Sequence, residues 1–146
     1  MKTKISSKLL LTLGLVFVLG SATTQVRGGI VTIQSTGNVS RGQTGSFGLF
    51  MAPPIGGSYV NFSVSGTAIP GADYFPLISP AYMVALPNCV PPPTQFCPRY
   101  AVIPVKTLPD PRGSFFPRAY SVTVTLEPGP GYTIGEPSSA TMMINP

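Results

Sequence analysis

The chain contains no histidine and no tryptophan, two cysteines, and only four acidic residues among 146. Without histidine there is no Ser-His or Cys-His couple, no imidazole zinc ligand and no side chain that titrates near neutral pH unperturbed. Asp73, Asp110, Glu127 and Glu136 are the whole acidic complement, so the paired carboxylates of glycoside hydrolysis have few places to form. The serines lack a Gly-x-Ser-x-Gly elbow and a base to activate them. These absences point away from an enzyme. Glycine (16) and proline (18) are abundant, close to the level of low-complexity chains. The apolar residues between them are nevertheless too numerous and too regularly spaced for disorder.

The first residues read as a leader and not as part of the fold. Lys2, Lys4 and Lys8 precede an apolar run of about a dozen residues, followed by the small residues Gly20, Ser21 and Ala22. The run is too short to cross a bilayer comfortably. Residues 1–22 are therefore expected to be a cleaved signal peptide, and 23–146 a single exported domain with no transmembrane span. Export is compatible with periplasm, cell surface or medium. Loss of the leader removes three basic residues and leaves Arg27, Arg41, Arg99, Lys106, Arg112 and Arg118 against four acids, a net charge of +2. Six scattered cations do not form the clustered patch that nucleic acid requires, so no nucleic-acid partner is expected.

Past the leader the apolar residues recur with period two, in short runs punctuated by Gly, Pro and Asn. The pattern predicts strands over 29–34, 46–51, 59–64, 82–86, 100–105, 119–126 and 139–144. The clearest places Tyr120, Val122, Val124 and Leu126 on one face and Ser121, Thr123 and Thr125 on the other. Seven such strands predict an all-β, Ig-like antiparallel β-sandwich with Greek-key connections. Pro104, inside a strand pattern, is expected on an edge or at a bulge.

Cys89 and Cys97 lie in a proline-rich stretch between the fourth and fifth strands, which are expected to form a hairpin. An exporting route permits a disulfide. A bridge across the hairpin neck stabilises by about 2–3 kcal/mol if unstrained. The spacing is not Cys-x-x-Cys and no helix N-terminus is predicted nearby, which disfavours a redox-active pair.

Two stretches carry more than strand pattern. Residues 66–74 read Gly-Thr-Ala-x-x-Gly-x-Asp-Tyr, and 131–141 read Gly-Tyr-x-Ile-Gly-x-Pro-x-Ser-Ala-Thr. Together they resemble the Calx-β domain family over roughly residues 30–145. The local chemistry of the first is intelligible alone: Gly66 and Gly71 permit turns, Asp73 can accept from nearby backbone N–H groups, and Tyr74 can pack its ring while its hydroxyl stays in water.

The resemblance implies a Ca²⁺ site at one pole of the sandwich, and the residual ligand positions are Asp73 and Asp110. The other implied acids are missing. The first falls at Ser40 or Arg41, those past Asp110 fall in the basic and aromatic stretch 112–118, and the last at Asn145 and Pro146. Ca²⁺ takes six to eight oxygens, several of them carboxylate, so no cofactor is expected and a calcium role is the alternative reading. Arg112 or Arg118 could instead occupy that pole and pair with Asp73 or Asp110. The competing reading leaves both acids solvated or serving turns.

Arg112, Phe115, Phe116 and Arg118 also form a candidate interaction loop, with a protein or a glycan as the partner class. The function expected is thus a non-enzymatic structural, adhesive or protein-interaction module outside the cytoplasm. A strand-adding subunit of a surface fibre is a further alternative.

Overall fold

A computed structural model describes residues 28–52, 59–85, 98–110, 112 and 118–146. The leader, Cys89, Cys97, Phe115 and Phe116 lie outside the described residues, and with them the signal-peptide and disulfide expectations. Among the described residues there is no helix, and none long and apolar enough to cross a membrane.

The described residues form an all-β sandwich with eleven strands among them: β1 (Gly29–Ser35), β2 (Val39–Ser40), β3 (Thr44–Ala52), β4 (Tyr59–Val60), β5 (Phe62–Ser65), β6 (Ala81–Tyr82), β7 (Val84–Ala85), β8 (Arg99–Lys106), β9 (Tyr120–Leu126), β10 (Tyr132–Ile134) and β11 (Ser139–Asn145). One sheet has the order β10-β1-β3-β8-β7 and the other β2-β11-β9-β5, with β4 and β6 forming a separate pair. The period-two alternation sets which residues meet between the layers. Val31, Ile33, Phe47, Leu49, Met51, Ile103 and Val105 from the first sheet join Phe62, Val122, Val124, Leu126, Met142 and Ile144 from the second in one buried cluster. Each such side chain contributes about 1.5–3 kcal/mol by leaving water.

Three features correct the expected strand plan. The sheets are mixed and not purely antiparallel, because β10 runs parallel to β1 and β2 parallel to β11. The run 59–65 is two strands, since β4 pairs with β6 whereas β5 pairs with β9. At the break, the Asn61 N–H donates to the Tyr132 hydroxyl at 3.0 Å, which itself donates to the Glu127 carbonyl at 2.6 Å. The expected fourth strand is likewise two, with β6 and β7 in different sheets on either side of buried Met83. Across 59–65 the alternation continues unbroken while the hydrogen-bond partner changes, and residues 81–85 are apolar throughout, so periodicity alone reveals neither switch.

Pro104 sits on β8 opposite Ser46 of β3. On the other side of β8, β7 reaches only Arg99 and Tyr100. Among the described residues Pro104 therefore has no ladder partner on its far side, the position a residue without an N–H tolerates. The antiparallel contact of β7 with β8 is the hairpin expected around the cysteine segment.

Candidate functional site

Four segments meet at one end of the sandwich: the turn after β2, the loop 66–75, the stretch after β8 and the end of β11. Backbone bonds join them. Arg41 N–H donates to the Asn145 carbonyl at 3.0 Å, Leu108 N–H to the Asp73 carbonyl at 2.8 Å, and Thr107 N–H to the Gln43 carbonyl at 3.0 Å. The buried Thr107 hydroxyl adds a bond to the same Gln43 carbonyl at 2.7 Å.

The loop 66–75 presents Asp73 inward. Gly66 and Gly71 have φ of +124° and +81°, in the region where a Cβ is strained. At Gly66 a Cβ would also collide with the Ser121 carbonyl, so glycine is required there on both counts. The turn they frame brings the Asp73 N–H to the Ile69 carbonyl at 2.8 Å, and the Ile69 N–H back to Asp73 Oδ2 at 2.7 Å. Tyr74 corrects an expectation. It bridges to both Pro70 and Thr107 and is only 1% exposed, so its hydroxyl does not stand in solvent. Burial, with the neighbouring Asp73 charge, pushes that hydroxyl pKa up.

Asp73 is wholly buried, and two guanidinium groups converge on it. Arg112 holds it through two bonds, Nη1 to Oδ1 at 2.6 Å and Nη2 to Oδ2 at 2.9 Å. Arg41 Nη2 reaches Oδ1 at 2.7 Å, while its Nη1 donates to the Leu108 carbonyl at 3.2 Å. With the Ile69 N–H, four donors meet one carboxylate. The Arg112 hydrogen bonds above all, then the Ile69 N–H and Arg41, hold its pKa well below the usual carboxylate range, although burial pulls the other way. The same contact raises the pKa of Arg112.

Asp110 completes the group from the rim. It accepts the Arg112 backbone N–H at 3.0 Å, and lies 3.5 Å from Arg112 Nη1 and 3.9 Å from Arg41 Nε. The Arg41 Nε is buried and finds no hydrogen-bond partner among the described residues. Tyr120 forms the floor, its ring centroid 4.3 Å from the Arg112 guanidinium carbon and 5.4 Å from that of Arg41, within cation–π range. Two arginines against two aspartates leave the cluster neutral, and it ties together four segments far apart in the chain.

The structure thus brings Asp73, Asp110 and Arg112 together. Arg118 is exposed, and no described contact draws it into the cluster. The sequence marked Arg41 only as a place where an implied acid is missing, and Tyr120 as one more residue of a strand face. The available signal for Arg41 was its position, where the resemblance called for an acid. The donor set does not fit Ca²⁺. Both carboxylates are engaged by guanidinium groups, and among the described residues no three acidic, His or Cys side chains come together. Nor does the cluster offer a nucleophile with a base beside it.

No protein-family model matches the chain, and no curated protein matches it either.

Proposed function

We propose that this chain is an exported, non-enzymatic interaction module: an Ig-like, Greek-key sandwich of the Calx-β type whose pole is held by arginines in place of a cation. The observation that carries the reading is the buried Asp73 carboxylate, gripped on both oxygens by Arg112 and on one by Arg41. A doubly positive pair of guanidinium groups neutralises the two remaining acids, as a divalent cation would, and adds directional hydrogen bonds. The convergence of Arg41, Asp73, Asp110 and Asn145 also supports the family reading, since the resemblance names these positions as the pole.

The test is a thermal melt of the mature protein in EDTA and in millimolar calcium. The expected result is the same midpoint in both. Calcium present at a hundred times its Kd would stabilise the native state by about 2.7 kcal/mol. A calcium-dependent rise of several degrees would therefore overturn the reading in favour of a calcium-binding domain with a reduced ligand set.

A further inference from the structure

Strand β8 is hydrogen-bonded along the whole of one edge and along only part of the other. In an antiparallel ladder the N–H and C=O of a residue point to the same side, and successive residues alternate. Two bonds fix the alternation here. Thr107 N–H donates to the Gln43 carbonyl on the β3 side, and Phe75 N–H donates to the Lys106 carbonyl on the opposite side. Ala101, Ile103 and Val105 therefore bond to β3, while Tyr100, Val102, Pro104 and Lys106 turn their backbone groups to the other edge.

That edge is occupied at both ends. Tyr100 pairs with Val84 of β7, and the Lys106 carbonyl is taken by Phe75. Continued in register, β7 would bring Tyr82 opposite Val102. The chain switches at Met83 instead, and Tyr82 pairs with Tyr59 of β4. Among the described residues, the Val102 N–H, the Val102 carbonyl and the Pro104 carbonyl are left without a backbone partner. Unpaired backbone groups on a sheet edge are a template for another strand.

The space beside them is open. A groove of about 280 Å³ is lined by Val102 and Pro104 and by Pro76, Leu77, Ile78 and Tyr82, which belong to the excursion the chain makes between Phe75 and Val84. Val102 is 56% exposed. None of the lining residues is charged.

Backbone chemistry selects the occupant. The Val102 and Pro104 carbonyls are two residues apart on one edge, about 6.7 Å along the strand. Alternate N–H groups of an extended chain repeat at the same interval. An apolar ligand such as a lipid tail would cover these polar groups and leave them unpaired, at a cost. We infer that this stretch of β8 is a docking edge for an extended peptide segment of a partner, which adds as a short antiparallel strand where β7 would otherwise continue. The inference rests on the interaction-module reading and names the partner's chemistry.

Pro104 sets the length and the direction. Proline on an edge discourages strand addition because it removes a donor. Three residues of an antiparallel strand nevertheless satisfy every group that remains. One exchanges both bonds with Val102, and the residue two before it donates to the Pro104 carbonyl. Tyr100 and Lys106, both already engaged, stand about 20 Å apart and confine the strand between them. The middle residue of the three faces the same side of the sheet as buried Ile103 and is expected to be apolar. So short an addition buries little surface, and its Kd is expected near about 1 mM.

Solution NMR on protein expressed from the whole sequence tests this. In the free protein the Val102 amide should exchange quickly with solvent, while those of Ala101 and Ile103, bonded to β3, are protected. Adding acetyl-Thr-Val-Thr-Val-Thr-amide to about 5 mM should shift the Val102 amide resonance and slow its exchange. The same peptide N-methylated at every residue should do neither. Pro104→Val restores the missing donor at an exposed position and should tighten binding by about 2- to 10-fold. A Val102 amide already protected in the free protein overturns the proposal, because the edge is then closed from within the chain. No shift with the peptide overturns it by leaving the edge empty, and an equal shift with the N-methylated peptide overturns it by placing the contact on side chains. Binding that Pro104→Val leaves unchanged or weakens overturns it by showing that the bonds do not run along this edge. The calcium melt reads the pole and not β8, so failure here and failure of the metal-free reading are distinguishable.

Discussion

Replacing Asp73 with asparagine is the sharpest probe of the charged pole. The side chain keeps its shape and loses its charge. Four donors now meet the carboxylate: Arg112 Nη1 at 2.6 Å and Arg41 Nη2 at 2.7 Å on Oδ1, with Arg112 Nη2 at 2.9 Å and Ile69 N–H at 2.7 Å on Oδ2. Whichever way the amide is turned, its NH₂ faces two donors at hydrogen-bond distance, so two attractive contacts become repulsive. The guanidinium groups also lose the charge that holds them together. Arg41, whose side chain is 9% exposed, has no easy route to water. Removing one partner of a buried ion pair costs about 3–5 kcal/mol. Because the more open Arg112 can swing outward, the lower end applies, about 3 kcal/mol. For a domain of this length that corresponds to a fall in melting temperature of roughly 10–15 °C.

Circular dichroism melts at neutral pH measure the fall, and the same melts under acid conditions supply an internal control. The native pKa of Asp73 lies below its unfolded value, so the native state disfavours protonation. Its contribution to stability is therefore complete above the unfolded value of about 4 and is lost as pH falls from there toward the depressed native value. The wild type should lose stability over that acid window, Asp73→Asn should lose less, and the two should converge. A neutral-pH difference smaller than about 3 °C, or one that does not shrink in acid, would refute the reasoning.

Two further predictions concern neighbouring parts of the same framework. Arg112→Gln should lower the melting temperature, whereas Arg118→Gln, at an exposed position with no described contact to the cluster, should stay within about 2 °C of wild type; equal effects in a scan of both variants would show that the pairing with Asp73 is immaterial. Tyr132→Phe should cost about 1–3 kcal/mol, because it leaves the Asn61 N–H and the Glu127 carbonyl without their shared partner at the strand break; an unchanged denaturation midpoint would show that the hydroxyl does not hold that break.

Much of the architecture was legible in one dimension. Strands β1, β3, β8, β9 and β11 follow the expected runs closely, because alternation of apolar and polar residues is itself the cause of a half-buried strand. The short pieces were not legible. β2 and β10 have two and three residues, too few to show a period, and each is a strand only because a distant parallel partner lies beside it. The breaks at Asn61 and Met83 were invisible for the converse reason: alternation persists through the first, and the second lies in a run that is apolar throughout.

The site divides along the same line. The turn glycines and Asp73 belong to a contiguous string, and local chemistry was enough to single them out. A pairing of Asp73 or Asp110 with an arginine from the 112–118 stretch could be written down as one option against solvated acids, but not chosen, because the choice depends on burial. The sequence by itself determined the all-β pattern, the scarcity of acids and the turn that carries Asp73. Only the tertiary structure decided that Asp73 is wholly buried, that Arg41 approaches it from 32 residues away and Arg112 from 39, and that Tyr120 lies beneath both guanidinium groups. Local sequence sets backbone periodicity and turn geometry. The energy of an ion pair depends on distance and on exclusion from water, and both are properties of segments that meet only when the two sheets close over their core.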